Sequence, residues 1–361
     1  MADQKKQLQE YRKQIDTLDE QILDLISERV KIAKEIAAVK HELGDGDFYR
    51  PEREAQVLRS VIARNKGPLT DDQMARLFRE IMSATLSAEG KLKVAFLGPS
   101  GTYTQSAAFK HFGHAVETVP FATIAGVFRA VERDQVHYGV VPIENSSEGV
   151  VTHTLDMFLE SPLTICGEIQ LRVRHQLLSA AQDLKSIKNV LAHEQALAQC
   201  RRWLAENLPQ CKLTPVRSNA EAAQLARDDN TAAAVASSDA AEIYGLNVLA
   251  SDIEDDPGNT TRFLVIGKRA SGPSGDDKTS LLISSANRPG ALHSLLTPLA
   301  ESGVSMSRIE SRPSRKGLWE YVFFIDIEGH AEDEHIKEVL KKLEEQAAVV
   351  KMLGAYPRAV L

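Results

Sequence analysis

The sequence has few cysteines, no long apolar run and no apolar leader. Its three cysteines, Cys166, Cys200 and Cys211, form neither a CxxC pair nor a spacing typical of a metal site, so we expect reduced, structural thiols and no metal. No apolar run approaches the roughly 20 residues of a membrane span, and the polar start MADQKKQLQEYRKQ lacks the core of a signal peptide. These absences predict a cytoplasmic protein without a membrane partner.

An excess of basic charge is also missing. The chain has 43 Lys and Arg against 50 Asp and Glu, a formal net charge of −7. This balance argues against a nucleic-acid partner, while local basic pockets for acidic metabolites remain compatible with it. With 361 residues, 43% of them hydrophobic, the chain is long enough for two or three domains with separate cores.

Glycine and proline are absent from residues 8–43, where apolar side chains recur at alternating spacings of three and four. This seam predicts one helix of roughly 50 Å, too long to be covered by a small domain folded on itself. We therefore expect it to pack against a second chain. The seam consists of Leu8, Tyr11, Ile15, Leu18, Ile22, Leu25, Ile32, Ile36 and Val39.

Cations interrupt this seam. Arg29 occupies a position that the spacing assigns to an apolar residue, and Arg12 and Lys40 border the same face. Because a buried unpaired cation is strongly destabilising, the pattern predicts either an anionic ligand or acidic partners. The acidic partners available within the helix are Asp16, Glu28 and Glu35.

The rest of the chain divides by pattern. Two further helices are predicted, over 51–64 with Pro51 in the first turn and over 70–88 with Thr70 as the cap. From 94 to 267, strand-like runs alternate with helices, which is typical of an α/β domain. After a segment rich in Gly, Ser and charge, the remaining residues follow a βαββαβ order, a ferredoxin-like unit.

Three motifs of the α/β segment place polar residues beside strands. GPSGTYT (98–104) follows a strand, YGVVPIENSSEGVVTHTLDMF (138–158) includes the end of one, and NTTRF (259–263) leads into one. Open α/β sheets bind ligands at the carboxyl ends of their strands, where helix N-termini also favour anions. The plainer alternative is that Asn145 and Ser146 merely cap a helix.

With these motifs in this order, the chain resembles prephenate dehydratase, and its flanks are similar to the bifunctional chorismate mutase/prephenate dehydratase family. NRPGALH (287–293) and ESRP (310–313) carry a further likeness to ACT domains. The resemblance implies a multidomain α + α/β + α+β protein. Its expected parts are an all-helical mutase at 1–90, a two-lobed type II periplasmic-binding-protein-like domain at 91–270 with an inserted lobe at about 172–245, a linker at 271–278 and a ferredoxin-like ACT domain at 279–361.

The family resemblance implies a mutase pocket shared between two copies in an intertwined homodimer or higher homo-oligomer. Chorismate rearranges without a covalent enzyme step, so clamping its two carboxylates and stabilising the breaking ether bond suffice. The pocket would combine Arg12 of one copy with Arg29, Lys40, Arg53, Glu54, Thr85 and Glu89 of the other. Lys40 and Glu89 would face the ether oxygen, and Glu54 a substrate hydroxyl.

Glu89 is a departure, because relatives place a glutamine there. A carboxyl group donates to an ether oxygen only when protonated, so we expect mutase activity to fall as the pH rises past neutral. The alternative is an exposed glutamate at a fraying helix end.

The second reaction implied is loss of water and CO2 from prephenate to give phenylpyruvate, without a cofactor. Thr261 would assist the departing hydroxyl, helped by Glu144 or a relayed proton, with Arg262 as a carboxylate or interlobe partner. The expected positioning residues are Thr102, Asn145, Ser146 and Gln199. Ala192 replaces a serine of the family. We interpret His193, and with the same caution His153 and His175, as structural hydrogen bonders rather than bases.

The ACT likeness implies an L-phenylalanine site at a dimer interface, with a helix N-terminus binding the carboxylate and Glu310 close to it. The implied residues are Asn287, Pro289, Gly290, Ala291, Leu292, Glu310, Ser311 and Arg312, with His293 replacing a valine of some relatives. For the ACT-like segment, the alternative is a dimerisation domain without a ligand. For the whole chain, the alternatives to a feedback-inhibited bifunctional enzyme are a non-enzymatic amino-acid sensor and an enzyme in which only the dehydratase centre is active.

Overall fold

The computed structural model describes residues 2–42, 49–284, 288–314 and 321–360. Within these ranges the predicted order of a helical segment, a two-lobed α/β segment and a ferredoxin-like segment is confirmed.

The helical segment consists of one long and two shorter helices: α1 (Ala2–Glu42), α2 (Pro51–Arg64) and α3 (Asp71–Ser87). Thr70 caps α3, because its side chain accepts a bond from the backbone of Gln73 while the Gln73 side chain accepts one from the backbone of Thr70. The predicted apolar seam of α1 is at least half exposed at every position, from 50% at Ile32 to 64% at Leu25. One copy of the chain therefore leaves this face uncovered.

The α/β segment contains eleven strands and seven helices among the described residues. In chain order they are β1 (Lys93–Leu97), α4 (Tyr103–Phe112), β2 (Glu117–Phe121), α5 (Ile124–Glu132), β3 (Tyr138–Asn145), β4 (Gly149–Val150), α6 (Thr152–Glu160), β5 (Thr164–Arg172), β6 (Gln176–Ser179), β7 (Asn189–Ala192), α7 (Glu194–Gln199), α8 (Arg201–Asn207), β8 (Lys212–Pro215), α9 (Asn219–Arg227), β9 (Ala232–Ala236), α10 (Ser238–Tyr244), β10 (Asn247–Ala250) and β11 (Thr260–Gly267).

Two sheets divide these strands into two lobes. The first has the order β2-β1-β3-β11-β5, with β4 beside β3, and the second has the order β10-β6-β9-β7-β8. The chain passes between them after β5 and returns after β10, so the second lobe is an insertion in the first. The inserted lobe expected at about 172–245 corresponds to the second sheet, whose last strand runs on to Ala250.

The C-terminal segment has the predicted βαββαβ order: β12 (Asp277–Ser284), α11 (Ala291–Glu301), β13 (Met306–Pro313), β14 (Tyr321–Glu328), α12 (Glu334–Gln346) and β15 (Val349–Pro357). Its strands form an antiparallel sheet of order β13-β14-β12-β15. Residues such as Leu281 and Ile325 pack under the two helices. Residues of the opposite face, such as Leu282 and Phe324, share one core cluster with Leu264 of the first lobe.

The three segments are in direct contact. Tyr49, which precedes α2, is buried against Phe112 and Tyr138 of the first lobe, at ring-centroid distances of 5.1 and 5.3 Å. At the other interface, a Cβ built on Gly354 of β15 would lie 2.3 Å from the carbonyl oxygen of Ile165. The C-terminal sheet thus approaches β5 so closely that only glycine fits at this position.

Candidate functional site

The helical segment contains a cavity of about 330 Å³ between its three helices. The cavity brings together six of the seven residues predicted for this site: Arg29, Lys40, Arg53, Glu54, Thr85 and Glu89. Arg29 Nη1 donates to Thr85 Oγ1 at 2.8 Å, which ties α1 to α3 across the cavity. With Arg50, four cations and two carboxyl groups therefore line one chamber, a composition suited to a polar anion.

Arg12 is the seventh predicted residue, and it lies elsewhere. It is exposed on α1 and is separated from Arg29 by about 25 Å of helix at the normal rise per residue. It therefore does not line the cavity of its own copy.

Glu54 is a largely buried carboxyl group. Burial raises its pKa to about 7, although the guanidinium of Arg79, whose Nε lies 3.4 Å from Glu54 Oε1, opposes the shift. Arg79 was missed in the sequence, yet it lies one turn after the buried Ala75 and one turn before the buried Ser83, so helical periodicity alone places it on the inner face of α3.

Glu89 lines the same cavity beyond the end of α3. Burial raises the pKa of Glu89, while Lys40 and Lys34 oppose the shift. The position favours the predicted protonated carboxyl group over an exposed glutamate at a fraying end.

The two lobes enclose a second cavity of about 500 Å³. Among the predicted residues, Thr102, Asn145, Gln199 and Thr261 line it. They come from the N-terminus of α4, the end of β3, the end of α7 and the start of β11. Both lobes therefore contribute side chains to one cleft.

Asn145 and Thr261 form the best-defined contact of this cleft. Asn145 Nδ2 donates to Thr261 Oγ1 at 2.7 Å and to Asn259 Oδ1 at 2.8 Å, while Asn145 Oδ1 accepts from the backbone N–H groups of Ser147 and Glu148. Those two backbone donors fix the orientation of the amide. Because Thr261 Oγ1 accepts this bond, its own proton is available to a group in the cleft.

The plainer reading of Asn145 and Ser146 as helix caps is wrong. Helix α6 begins at Thr152, and Val151 precedes it without a side-chain cap. Ser146 instead joins two strands, since its Oγ accepts from the backbone N–H of Thr260 at 3.0 Å. It holds the β3–β4 turn against β11 and is not among the residues that line the cleft.

Glu144 and Arg262 are directed away from the cleft, contrary to the prediction. Glu144 Oε2 lies 3.2 Å from Arg308 Nε of β13. Arg262 Nη1 lies 2.6 Å from Asp326 Oδ2 of β14. Successive residues of a strand face opposite sides, so the neighbours of Asn145 and Thr261 point under the C-terminal sheet.

The histidines agree with the structural interpretation. His175 is buried between Tyr103 OH (2.8 Å) and Gln199 Oε1 (2.9 Å), and burial lowers its pKa despite the hydrogen bond that its Nε2 donates to Gln199 Oε1. His193 caps α7 through its Nδ1, and His153 lies on an exposed face of α6. Gln199 is therefore held by His175, and His175 links the two lobes.

Several cleft residues were not predicted. Arg217, Ser218 and Asn219 lie at the N-terminus of α9, where Ser218 caps the helix and Asn219 Oδ1 accepts from the backbone of His193. The Ser-Asn pair before a helical run was the available signal. Glu148 supplies a carboxylate among the described lining residues, and Asn259 an amide.

The C-terminal residues predicted to bind an effector lie on two faces of one sheet. Gly290, with φ of 75°, precedes α11 on the helix-covered face, together with exposed Pro289 and half-buried Ala291 and Leu292. Glu310 and Arg312 of β13 lie opposite Phe324 and Val322 and therefore face the first lobe, where Arg312 Nη2 pairs with Asp156 Oδ1 at 2.9 Å.

Within one chain, Glu310 thus lies across the sheet from the start of α11 rather than beside it. Ser311 alternates with these residues and is exposed. Asn287 lies outside the described residues.

Two features are absent from the described part of the chain. None of its helices is long and apolar enough to cross a membrane. None of its His, Cys, Asp and Glu side chains group in threes that would hold a metal ion.

Three family models match consecutive parts of the chain. They are Chorismate mutase type II at residues 11–90, Prephenate dehydratase at 94–271 and ACT domain at 279–345. Each match falls on one of the three segments described above. The helical cavity, the two-lobed cleft and the C-terminal sheet thus correspond to three separate family matches.

The bifunctional chorismate mutase/prephenate dehydratase of Pseudomonas aeruginosa is 52% identical, over 100% of both chains. Two solved structures resemble the part after the helices, each with a TM-score of 0.69 over 74% of this chain. One is a prephenate dehydratase from Arthrobacter aurescens in complex with L-Phe, 35% identical over 90% of its chain, and the other is GqqA, described as a novel type of quorum quenching acylase, 32% identical over 98% of its chain. Since proteins described with two different activities share this fold, the full-length relative says more about the activity than the fold does. By its three family matches and its full-length identity, the chain belongs to the bifunctional chorismate mutase/prephenate dehydratase family.

Proposed function

We propose that this chain converts chorismate to prephenate in the helical cavity and prephenate to phenylpyruvate in the two-lobed cleft, under feedback inhibition by L-phenylalanine. The observation that carries the proposal is the presence of two separate polar cavities in one chain. One is rich in cations on helices, and the other is lined by hydroxyls and amides from two lobes. We assign the mutase to 1–90, the dehydratase to 91–270 and the ACT domain to 279–361, with 271–278 as linker.

In the mutase centre, guanidinium and ammonium groups hold the two carboxylates of chorismate. Arg29 is already oriented across the cavity by its bond to Thr85, so a carboxylate that binds there meets a fixed donor. Lys40 and protonated Glu89 donate to the ether oxygen as its bond breaks, and Glu54 contacts a substrate hydroxyl. The contacts of Lys40 and Glu89 strengthen as negative charge develops on the ether oxygen, which is how positioned donors accelerate a rearrangement.

A second copy of the chain completes this centre. The exposed seam of α1 offers a continuous apolar stripe of the kind that pairs helices, and Arg12 lies on α1 beyond reach of its own cavity. Pairing two copies through α1 covers the stripe and lets Arg12 of one copy enter the cavity of the other. We therefore propose at least a homodimer. We also propose that it is located in the cytoplasm.

In the dehydratase centre, Thr261 donates its proton toward the ring hydroxyl that leaves prephenate. The bond that Thr261 accepts from Asn145 polarises the hydroxyl and directs its proton into the cleft. Glu148 is the carboxylate of the cleft wall that replaces the predicted Glu144 as a source of the relayed proton. The N-termini of α4 and α9, at Thr102 and Asn219, offer backbone N–H groups for the two carboxylates of the substrate.

L-phenylalanine binds the ACT domain in this proposal. Support comes from the motifs at 287–293 and 310–313 and from the L-Phe complex of the Arthrobacter relative. Because Glu310 and the start of α11 lie on different faces in one copy, we propose that the complete effector site combines residues of two copies.

The test is to incubate the purified chain with chorismate and follow prephenate and phenylpyruvate with and without L-phenylalanine. Arg29→Ala should abolish prephenate formation while the variant still converts added prephenate. Thr261→Ala should let prephenate accumulate. Phenylpyruvate formation that is absent in the unmodified chain, or unaffected by both substitutions, would contradict the proposal.

A further inference from the structure

Glu144 and Arg262 are neighbours across one strand pair, directly behind the cleft. Strands β3 and β11 are antiparallel, with Thr261 opposite Asn145 and Arg262 opposite Glu144. The first pair is hydrogen-bonded in the cleft. The second pair lies on the reverse face of the same two strands, one residue away along each of them.

The C-terminal sheet presents a matching pair. Arg308 of β13 and Asp326 of β14 are cross-strand partners. Arg308 Nε lies 3.2 Å from Glu144 Oε2, and Arg262 Nη1 lies 2.6 Å from Asp326 Oδ2. Two ion pairs of opposite direction therefore join two cross-strand pairs into a closed set of four side chains, which we call the clamp.

The clamp is mostly shielded from water. Exposed side-chain fractions are 13% for Arg262, 6% for Asp326 and 10% for Arg308, against 41% for Glu144. Ser280 Oγ donates to Asp326 Oδ1 at 2.6 Å, and Arg262 also contacts Glu168 and Tyr356. Buried and multiply bonded ion pairs are geometrically specific, and removing one partner leaves the other charge uncompensated.

The β3–β11 strand pair is irregular next to Glu144 and Arg262, so contacts from another element would stabilise it there. The register of β11 against β3 shifts between Arg262 and Phe263, because Ile143 is an extra residue between Pro142 and Glu144. Such a bulge leaves one residue unpaired and locally disrupts the ladder. The backbone bonds alone therefore hold Asn145 and Thr261 less firmly than a regular ladder would.

We propose that Glu144 and Arg262 are positioning residues of the dehydratase centre, held by Arg308 and Asp326 of the ACT sheet so that Thr261 and Asn145 keep their reactive geometry. This inference rests on the role proposed above for Thr261. A misplacement of about 1 Å in a reacting group can cost about a hundredfold in rate, so a small tilt of the ACT sheet is enough to change turnover. The clamp thus gives an effector bound to the ACT domain a direct mechanical connection to the cleft.

The test uses the full-length enzyme with two clamp variants, Arg308→Met and Asp326→Asn. Both should lower the dehydratase kcat by about tenfold or more, with KM for prephenate within about twofold, because the substrate contacts are intact. Mutase turnover on the same chain should stay unchanged, which reports that the protein is folded.

Asp156→Asn is the matched control. Asp156 pairs with Arg312 across the same interface, but it lies on α6 rather than on β3 or β11. It should leave the dehydratase kcat within about twofold. An equal loss in Asp156→Asn, or an unchanged kcat in both clamp variants, overturns the inference.

Thr261→Ala separates the two proposals. If this variant keeps its turnover, the role of Thr261 is wrong. If it loses turnover while Arg308→Met and Asp326→Asn keep theirs, the clamp alone is wrong.

Discussion

Arg79 Nε lies 3.4 Å from Glu54 Oε1 at the wall of the mutase cavity, and this contact opposes the effect of burial on the carboxyl group. Burial prevails, and the pKa of Glu54 is raised to about 7. Glu89, in the same cavity, also has a raised pKa because of burial. Two carboxyl groups of one chamber thus keep their protons to higher pH than glutamate in water does.

We predict that mutase activity falls as the pH rises through the raised pKa of Glu89. A raised pKa means that the protonated form is present below it and is lost above it, and only that form of Glu89 donates to the ether oxygen. Glu89→Gln, which donates at every pH, should flatten the profile of kcat/KM against pH. Glu54→Gln is the comparison variant. If it flattens the profile and Glu89→Gln does not, the titrating group is Glu54.

We predict that Thr261→Ala lowers dehydratase turnover by about a hundredfold or more while KM for prephenate changes little. The hydroxyl is required for the proton, whereas the substrate carboxylates are bound elsewhere. Thr261→Ser retains a hydroxyl within reach of Asn145 and should keep much of the activity. Steady-state kinetics with prephenate measure both variants, and near-normal turnover in the alanine variant would refute the assignment.

We predict that Ile22→Asp dissociates the dimer and removes mutase activity. Ile22 is 53% exposed in one copy and lies in the middle of the seam, so a carboxylate there would have to be buried between two helices. Dehydratase activity should persist, because its cleft lies within one chain. Lys13→Asp, on the opposite side of α1 from Tyr11, is the control. Light scattering gives the mass, and a dimer that survives Ile22→Asp would exclude the seam as the interface.

We predict that Gly354→Ala destabilises the contact between the ACT sheet and β5 by about 2–4 kcal/mol. The φ of Gly354 is +156°, and its added Cβ would lie 2.3 Å and 2.8 Å from the backbone O and N of Ile165. Backbone atoms in a sheet cannot move aside as a side-chain tip can. Gly272→Ala is the control, because its Cβ would meet the nearest atom, Glu52 Cγ, at an ordinary 3.6 Å. Urea denaturation compares the two, and equal stability would contradict the prediction.

Helical periodicity singled out Arg29, because helical spacing is local, whereas the family resemblance implied Arg53, Glu54, Thr85 and Glu89. Arg29 was recognised by occupying an apolar position of a seam, and the structure places it in the cavity. Arg79 needed only the same test applied to α3. The ends of strands likewise pointed to the stretches that contain Thr102 and Asn145, since the end of a strand in an α/β sheet is readable from the turn residues that follow it. Thr261 lies at the start of β11 and was implied by the family resemblance.

The sequence does not predict which face of a strand lies in the cleft and which lies at a domain interface. Strands β3 and β11 are covered on both sides, by the cleft on one and by the ACT sheet on the other, so alternation does not distinguish a cleft-facing residue from an interface residue. Glu144 and Arg262 were misassigned for this reason. Strands β6 and β10 have four residues each and flank no motif, so no pattern marked them. Docking between domains is a long-range property that local spacing does not contain.

Tyr49 shows how far the helical segment and the dehydratase depend on each other. Its ring is 5% exposed between Phe112 and Tyr138, and its hydroxyl bonds His111 Nε2 at 2.8 Å, where burial holds the pKa of the histidine down to about 3. Removing the mutase would expose an apolar pocket on the dehydratase, with the uncharged imidazole of His111 at its base. A dehydratase without residues 1–90 would need new polar residues there, so the helical segment is part of the hydrophobic interior on which the dehydratase depends.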